Sequence, residues 1–194
     1  MQCPQCKIGK PRPQRRPYHY LGSGLPDVYL KNVKWAICSE CKEITVEIPR
    51  IGQLHRCIAW LIILKKSFLT GQEMIFLRKT LRKNQREMAE SLGVSQVSLN
   101  RWERESRRGH TKALDSYFRM VYLQLHDDDY THELRQSIRE ALVRYFAQIK
   151  KSEPISLSAR IDPQACSPQK IIESTLSLPP SQSMHRQPTA ANPD

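Results

Sequence analysis

Four cysteines stand in two pairs of identical spacing, Cys3 with Cys6 and Cys38 with Cys41. A Cys-x-x-Cys turn directs two sulfurs at one point, and two such turns complete the tetrahedral four-thiolate set that Zn2+ accepts. That set leaves no position open for a substrate water, so the expected ion is a single structural Zn2+ rather than a catalytic one. A redox Cys-x-x-Cys is the competing reading, and it is weakened because a second pair is present and no βαβ pattern surrounds either one. His19 and His55 are alternative ligands; with four thiols in place both read as surface or packing histidines. Cys57 lies in an apolar run and reads as core, and Cys166 reads as having no specific role. The 31 residues between the pairs suit a β-hairpin between two knuckles, with Gly9 helping the backbone turn over the sulfurs. A unit of roughly 50 residues has little core of its own, so metal binding there becomes folding free energy.

The second chemical signal is "TGQEMIFLRKTLRKNQREMAESLGVSQVSLNRWERE", residues 70 to 105. Thr70 with Glu73 and Asn84 with Glu87 form two capping boxes, which predict helix starts near residues 71 and 85. Met74, Leu77 and Leu81 make the inner stripe of the first helix, and Met88 and Leu92 that of the second, with small Ala89 permitting close approach. Gly93 falls where a left-handed turn residue is needed. Val94 staples the corner, Ser95 caps, and Leu99 and Trp102 anchor a third helix from about Gln96. The spacing therefore predicts a helix-turn-helix.

With Val94, Leu99 and Trp102 inward, the third helix leaves Gln96, Val97, Ser98, Asn100 and Arg101 outward. Arg78, Lys79, Arg82, Lys83, Arg86 and Arg104 flank them. These residue types match the major groove: Gln or Asn pairs bidentately with adenine, Arg with guanine, and Val97 meets a thymine methyl. Gln85, opening the second helix, is placed to meet a phosphate. The predicted contacts to double-stranded DNA are thus Gln85, Arg86, Ser95, Gln96, Val97, Ser98, Asn100 and Arg101.

Residues Thr70 to Leu125 resemble the phage-repressor type of helix-turn-helix, the XRE family. Together with the thiol pairs, the order of parts is similar to the MqsA/YgiT family of zinc-binding antitoxin regulators. "CPQC", the "YLKNVKWAICSEC" strand leading to the second pair, and "NRWE" late in the third helix carry the likeness over roughly two thirds of the chain. The resemblance implies that Arg101 and its neighbours contact operator bases, that the helical domain forms a homodimer, and that the zinc domain binds a cognate toxin protein. This chain adds a long apolar helix between the two units, a further helix and a tail, so a toxin partner is the weaker implication.

The elements that must position these residues follow from periodicity. Residues 1 to 50 read as a small β-rich zinc-binding domain, because Val33, Trp35 and Ile37, then Ile44, Val46 and Ile48, alternate with less apolar neighbours. Residues 51 to 69 read as a connecting apolar helix, with Ile51, Leu54, Ile58, Leu61 and Ile62 on one broad face and little polar relief around Trp60 and Ile63. Such a helix is expected to be buried on more than one side, between the two domains or at a dimer contact. Residues 70 to 125 form the helix-turn-helix domain, and residues 126 to 151 an additional amphipathic helix marked by Leu134, Ile138, Leu142, Tyr145 and Ile149. Residues 152 to 194 hold seven prolines, eight serines and no Phe, Trp or Tyr. They are predicted to be a disordered tail. The fold class expected is α+β: a β-rich zinc unit followed by an all-α domain.

The chain has 194 residues and a net charge of +12. By segment, residues 1 to 50 carry 9 basic and 4 acidic side chains, residues 51 to 110 carry 12 and 5, residues 111 to 151 carry 7 and 6, and the rest 3 and 4. The excess therefore lies in the first 110 residues, as expected for a polyanionic partner. The longest apolar run, Cys57 to Leu64, is too short to span a bilayer, and no secretory signal opens the chain. These features predict a cytoplasmic, nucleoid-associated protein with no membrane partner.

An enzyme is disfavoured. No nucleophile, base and orienting group recur at meaningful spacing, no glycine loop cradles phosphate, and Asp127 to Asp129 read as a solvated acidic turn. The leading expectation is a dimeric transcriptional regulator, a repressor on a palindromic operator. Two rivals stand beside it. One is an antitoxin acting mainly as a protein-interaction module and autoregulator. The other is an RNA-binding zinc ribbon, in which Arg12, Arg15 and Arg16 interleave with Tyr18 and Tyr20.

Overall fold

The computed structural model describes residues 2–104, 111–126, 132–147 and 157–176. Among them are seven α-helices and a four-stranded sheet. The chain runs β1 (Pro11–His19), a single 3-10 turn, β2 (Asp27–Cys38), β3 (Ile44–Glu47), α1 (Ile51–Leu64), α2 (Gly71–Thr80), α3 (Gln85–Ser91), α4 (Gln96–Arg104), α5 (Lys112–Leu125), α6 (His132–Ala147), β4 (Ser158–Ile161) and α7 (Pro168–Leu176).

Strand β2 is the axis of the sheet. It pairs antiparallel with β1 along one edge, and its other edge is shared by β3 and β4. Pro11, Pro13 and Pro17 fall in β1. Proline cannot donate to a ladder, so a strand with three of them belongs at an edge, where it also discourages pairing with another chain. Asn32 takes a left-handed backbone at φ 54° in the middle of β2, opposite the register shift between Arg16 and Tyr18.

Helix α1 is buried around most of its circumference: Leu54, Cys57 to Trp60 and Ile62 to Leu64 are all inaccessible. It ends at Leu64, earlier than the predicted residue 69, and Phe68 and Leu69 continue into the core as extended chain. One apolar cluster runs from Val28 and Leu30 of the sheet through Leu54 and Ile58 of α1 to Met74, Leu77, Leu99 and Phe118 of the later helices. No helix among the described residues is long and apolar enough to cross a membrane.

The predicted tail is corrected over residues 157–176. β4 pairs in parallel with Asp27–Leu30 of β2, and α7 packs on α1. This segment builds no core of its own; it inserts Ile161 and Ile172 into one already formed by β2 and α1. Its low apolar content is therefore no obstacle to order, since other elements contribute most of the buried area. Residues 177–194 lie outside the described residues, as do Asp127 to Asp129 and the predicted helix residue Ile149. The additional helix expected over 126 to 151 is observed as α6, with Ile138 and Leu142 buried.

Candidate functional site

The register of β1 against β2 places Pro11 opposite Cys38, which brings the loop carrying Cys3 and Cys6 over the turn carrying Cys38 and Cys41. The four sulfurs lie within 4.8 Å of one another. Cys3 Sγ is 3.7 Å from Cys41 Sγ, and Cys6 Sγ is 3.6 Å from Cys38 Sγ. An ion with Zn–S bonds of about 2.3 Å in tetrahedral geometry sets neighbouring sulfurs about 3.8 Å apart. The spacing thus fits a tetrahedral thiophilic ion and is far longer than a disulfide, which needs about 2.05 Å. The donor set suits zinc.

Each knuckle is built the same way. Lys7 follows Cys6 with φ 58°, and Lys42 follows Cys41 with φ 60°, so a left-handed residue reverses the chain after the second cysteine of both pairs. Backbone bonds close the turns: Lys7 N–H to Cys3 O at 2.9 Å, Cys3 N–H to Gly9 O at 2.9 Å, and Cys38 N–H to Glu43 O at 3.0 Å. The turn residue expected at Gly9 is therefore Lys7. Gly9 is required for a different reason: a Cβ there would collide with the Cys38 sulfur, and its N–H points at Cys6 Sγ, 3.4 Å away. The N–H groups of Gly9 and Ile8 lower the pKa of the Cys6 thiol to about 6, while that of Cys41, despite the Glu43 N–H, is pushed up to about 12 by desolvation and the neighbouring sulfurs, so the four thiols do not ionise together without an ion between them. His19 bonds the Pro26 carbonyl and stacks on Tyr29, and His55 bonds the Tyr20 hydroxyl, so neither joins the sulfur cluster.

The second candidate surface is built by α3 and α4. Both capping boxes form, Thr70 with Glu73 and Asn84 with Glu87, starting α2 and α3 where the sequence places them. After α3, Gly93 takes φ 64°, and the N–H groups of Val94 and Gly93 bond Ala89 O at 3.0 Å and Glu90 O at 3.1 Å. This is a Schellman stop, satisfying two carbonyls that the helix end would otherwise orphan. Ser95 Oγ accepts the Ser98 N–H at 3.1 Å and opens α4. Leu99 and Trp102 point into the core, while Gln96, Val97 and Arg101 face out, Val97 being 80% exposed.

Not every predicted contact residue is free. Arg78 donates Nε to Glu103 Oε1 at 2.6 Å and Nη2 to Glu103 Oε2 at 3.0 Å, and Nη1 to the Lys83 carbonyl at 3.1 Å. Gln85 Nε2 donates to the same Glu103 Oε2 at 2.7 Å, and Asn100 Nδ2 donates to Gln85 Oε1 at 3.2 Å. Arg78 is thus an internal tie rather than a flanking surface cation, and the amides of Gln85 and Asn100 are engaged inside the fold. Arg86 pairs with Glu90 in the open, and Ser98 shares its hydroxyl with Ser95. Sequence reasoning missed Glu103; its place one residue after the anchoring Trp102, on the inner side of a basic helix, was the available signal. Comparison of the chain with protein-family models, with curated proteins and with solved structures returns no match.

Proposed function

We propose that this protein is a sequence-specific DNA-binding transcriptional regulator, a repressor acting as a homodimer, with one structural zinc ion in its N-terminal unit. The observation that carries the reading is the open outer face of α4, where Gln96, Val97 and Arg101 are exposed on a helix whose other face is fixed by Leu99 and Trp102. Helices α3 and α4 form the helix-turn-helix of this reading, with α4 entering the major groove. Arg101 pairs with a guanine edge, Gln96 with adenine, and Val97 packs on a thymine methyl. Ser95 and Ser98 lie at the start of α4, within reach of the backbone. Gln85 and Asn100 act by position: through Glu103 and Arg78 they set the roll of α4, so the reading residues arrive pre-oriented.

Zinc supplies a cross-link between the two knuckles when bound. Cys3, Cys6, Cys38 and Cys41 would hold it, and the β1–β2–β3 unit is held together with it. A dimer presents two copies of α4 to one face of DNA about 34 Å apart, which selects a palindromic site.

The test is selection of bound sites from a random duplex pool with the full-length protein. The expected product is an enriched motif with two inverted half-sites about one helical turn apart. Recovery of an unenriched pool at any salt concentration removes the proposal.

A further inference from the structure

Two cysteines outside the sulfur cluster, far apart in sequence, are brought to the same stretch of α1 by the fold. Cys57 lies on α1 and is fully buried, while Cys166 lies in the turn before α7 and is half-buried. Their positions are fixed from both sides. One turn before Cys57, Gln53 donates its amide to the Cys166 carbonyl at 2.8 Å. One turn after Cys57, Leu61 lines the same surface cavity as Cys166, a space of about 370 Å³ shared with Ile161, Lys170 and Ile171. Cys166 therefore lies against the stretch of α1 that carries Cys57, with its Sγ 3.8 Å from the Pro163 carbonyl of its own turn. Both are free thiols in this structure.

We infer that Cys57 and Cys166 are a peroxide-oxidisable thiol pair that closes into a disulfide between α1 and the segment leading into α7. Cys166 lines the open cavity and meets the oxidant first; Cys57 is sealed in the core and does not line that cavity. The Cys166 sulfur attacks one peroxide oxygen, the O–O bond breaks, and Cys166 becomes a sulfenic acid with loss of water. The Cys57 sulfur then attacks the Cys166 sulfur, the S–O bond breaks, and the hydroxyl leaves as water with the Cys57 proton. In total, two thiols and one hydrogen peroxide give one disulfide and two waters. The bond fastens the β4–α7 strap to the helix that runs through the centre of the core. This inference stands independently of DNA binding.

The experiment uses the zinc-loaded full chain treated with hydrogen peroxide, then denatured, alkylated and digested with trypsin. Cleavage after Arg56, Lys65, Arg160 and Lys170 isolates the peptides CIAWLIILK and IDPQACSPQK. The expected product is these two joined, released by dithiothreitol, and absent from Cys166→Ser. Oxidation is expected to raise the thermal midpoint by about 5 °C or more, since the bond closes a long loop. A Cys57→Ala variant, should Cys57→Ser disturb the core, must likewise lose the joined species. Recovery of both peptides separately alkylated, or of Cys166 driven to sulfinic acid with Cys57 untouched, overturns the inference. Equal yield of the joined peptide from urea-unfolded protein overturns it as well, because the fold would then play no part.

Discussion

Arg78 on α2 grips Glu103 on α4 through two parallel hydrogen bonds of 2.6 and 3.0 Å, with side-chain exposures of 11% and 2%. The same carboxylate holds Gln85, which in turn holds Asn100. One acidic side chain near the end of α4 therefore ties three helices together. Bidentate Arg–carboxylate geometry fixes orientation as well as distance, so the outward face of α4 is aimed by a contact on its inward face.

Removing Glu103 leaves the Arg78 guanidinium and the Gln85 amide without their partner in a nearly closed space. Breaking such a pair from one side costs about 3–5 kcal/mol. Glu103→Ala is expected to lower the urea midpoint by a corresponding amount, and Arg78→Ala by less, because Glu103 keeps Gln85. Equal effects from the two substitutions would show that Gln85 contributes nothing to holding Glu103.

Arg101 and Asn100 are neighbours on α4 with different assignments, and DNA affinity separates them. Arg101→Ala is expected to cost about 1–3 kcal/mol and to relax preference at one base position. Asn100→Ala is expected to weaken binding to all sites alike, through the lost bond to Gln85. The affinity itself should fall steeply with salt, as the excess of basic side chains in the first 110 residues requires. Binding-site profiles of the two variants, measured at matched ionic strength, are the check; identical profiles would withdraw the assignment of Arg101 to base reading.

The zinc-loaded protein is expected to carry one ion per chain by elemental analysis, and Co2+ in its place should show the absorption of a four-thiolate tetrahedral site. Cys38→Ser is expected to abolish stoichiometric binding and to loosen β1, β2 and β3 first, measurable as faster amide exchange there than in α2 to α4. Uniform loss of protection across the chain would instead mean that the knuckles support the whole core.

What could be read from the sequence was what depends on short range. The capping boxes at Thr70 and Asn84 and the stop at Gly93 each involve residues within a few positions of one another, so their chemistry is visible in the chain itself. The sulfur cluster was legible because each half is a local turn. β1 escaped a firm reading because its prolines and arginines obscure alternation, and it is a strand only because β2 pairs with it. β4 and α7 escaped because the core they complete lies more than 100 residues earlier. The meeting of Arg78 with Glu103, 25 residues apart, is a property of how helices cross, which no local pattern records.

His55 gives a pH dependence whose sign follows from its surroundings. Burial holds its imidazole below the ordinary 6.5, and its Nε2 is 2.8 Å from the Tyr20 hydroxyl, a bond that suits neutral His55 as acceptor. The unfolded chain then binds more protons than the folded one as pH falls below about 6.5. The stability contributed by neutral His55 is fully present above that pH and is lost as pH falls toward the folded value. Urea midpoints are expected to decline from about pH 7.5 to about pH 5.5, and the decline should be shallower in His55→Phe, which keeps a ring there without a titrating group. A slope unchanged by the substitution would assign the dependence elsewhere.

Arg119 tests how the two halves of the molecule are joined. Its side chain is fully buried, donates Nε to Asp115 Oδ2 at 2.8 Å, and points Nη1 and Nη2 at the carbonyls of Ile62, Ile63, Lys65 and Ser67. Those carbonyls lie at the end of α1 and just beyond it, where a helix leaves acceptors without intrahelical partners. Asp115 meanwhile accepts the Leu69 N–H at 2.7 Å. Two explanations of this buried pair differ in outcome. Were it only an ion pair, replacing both members with apolar side chains of similar size would restore stability, since a buried pair is often no better than a packed apolar one. Because the guanidinium also satisfies the end of α1, the double variant Arg119→Met with Asp115→Leu should remain well below wild type, with several acceptors and the Leu69 donor unpaired at about 1–3 kcal/mol each before relaxation and water entry. Arg119→Met alone should be at least as destabilised, since it also strands the Asp115 charge. Chemical unfolding of the three proteins decides between the explanations, and recovery of wild-type stability by the double variant would show that Arg119 does not cap α1.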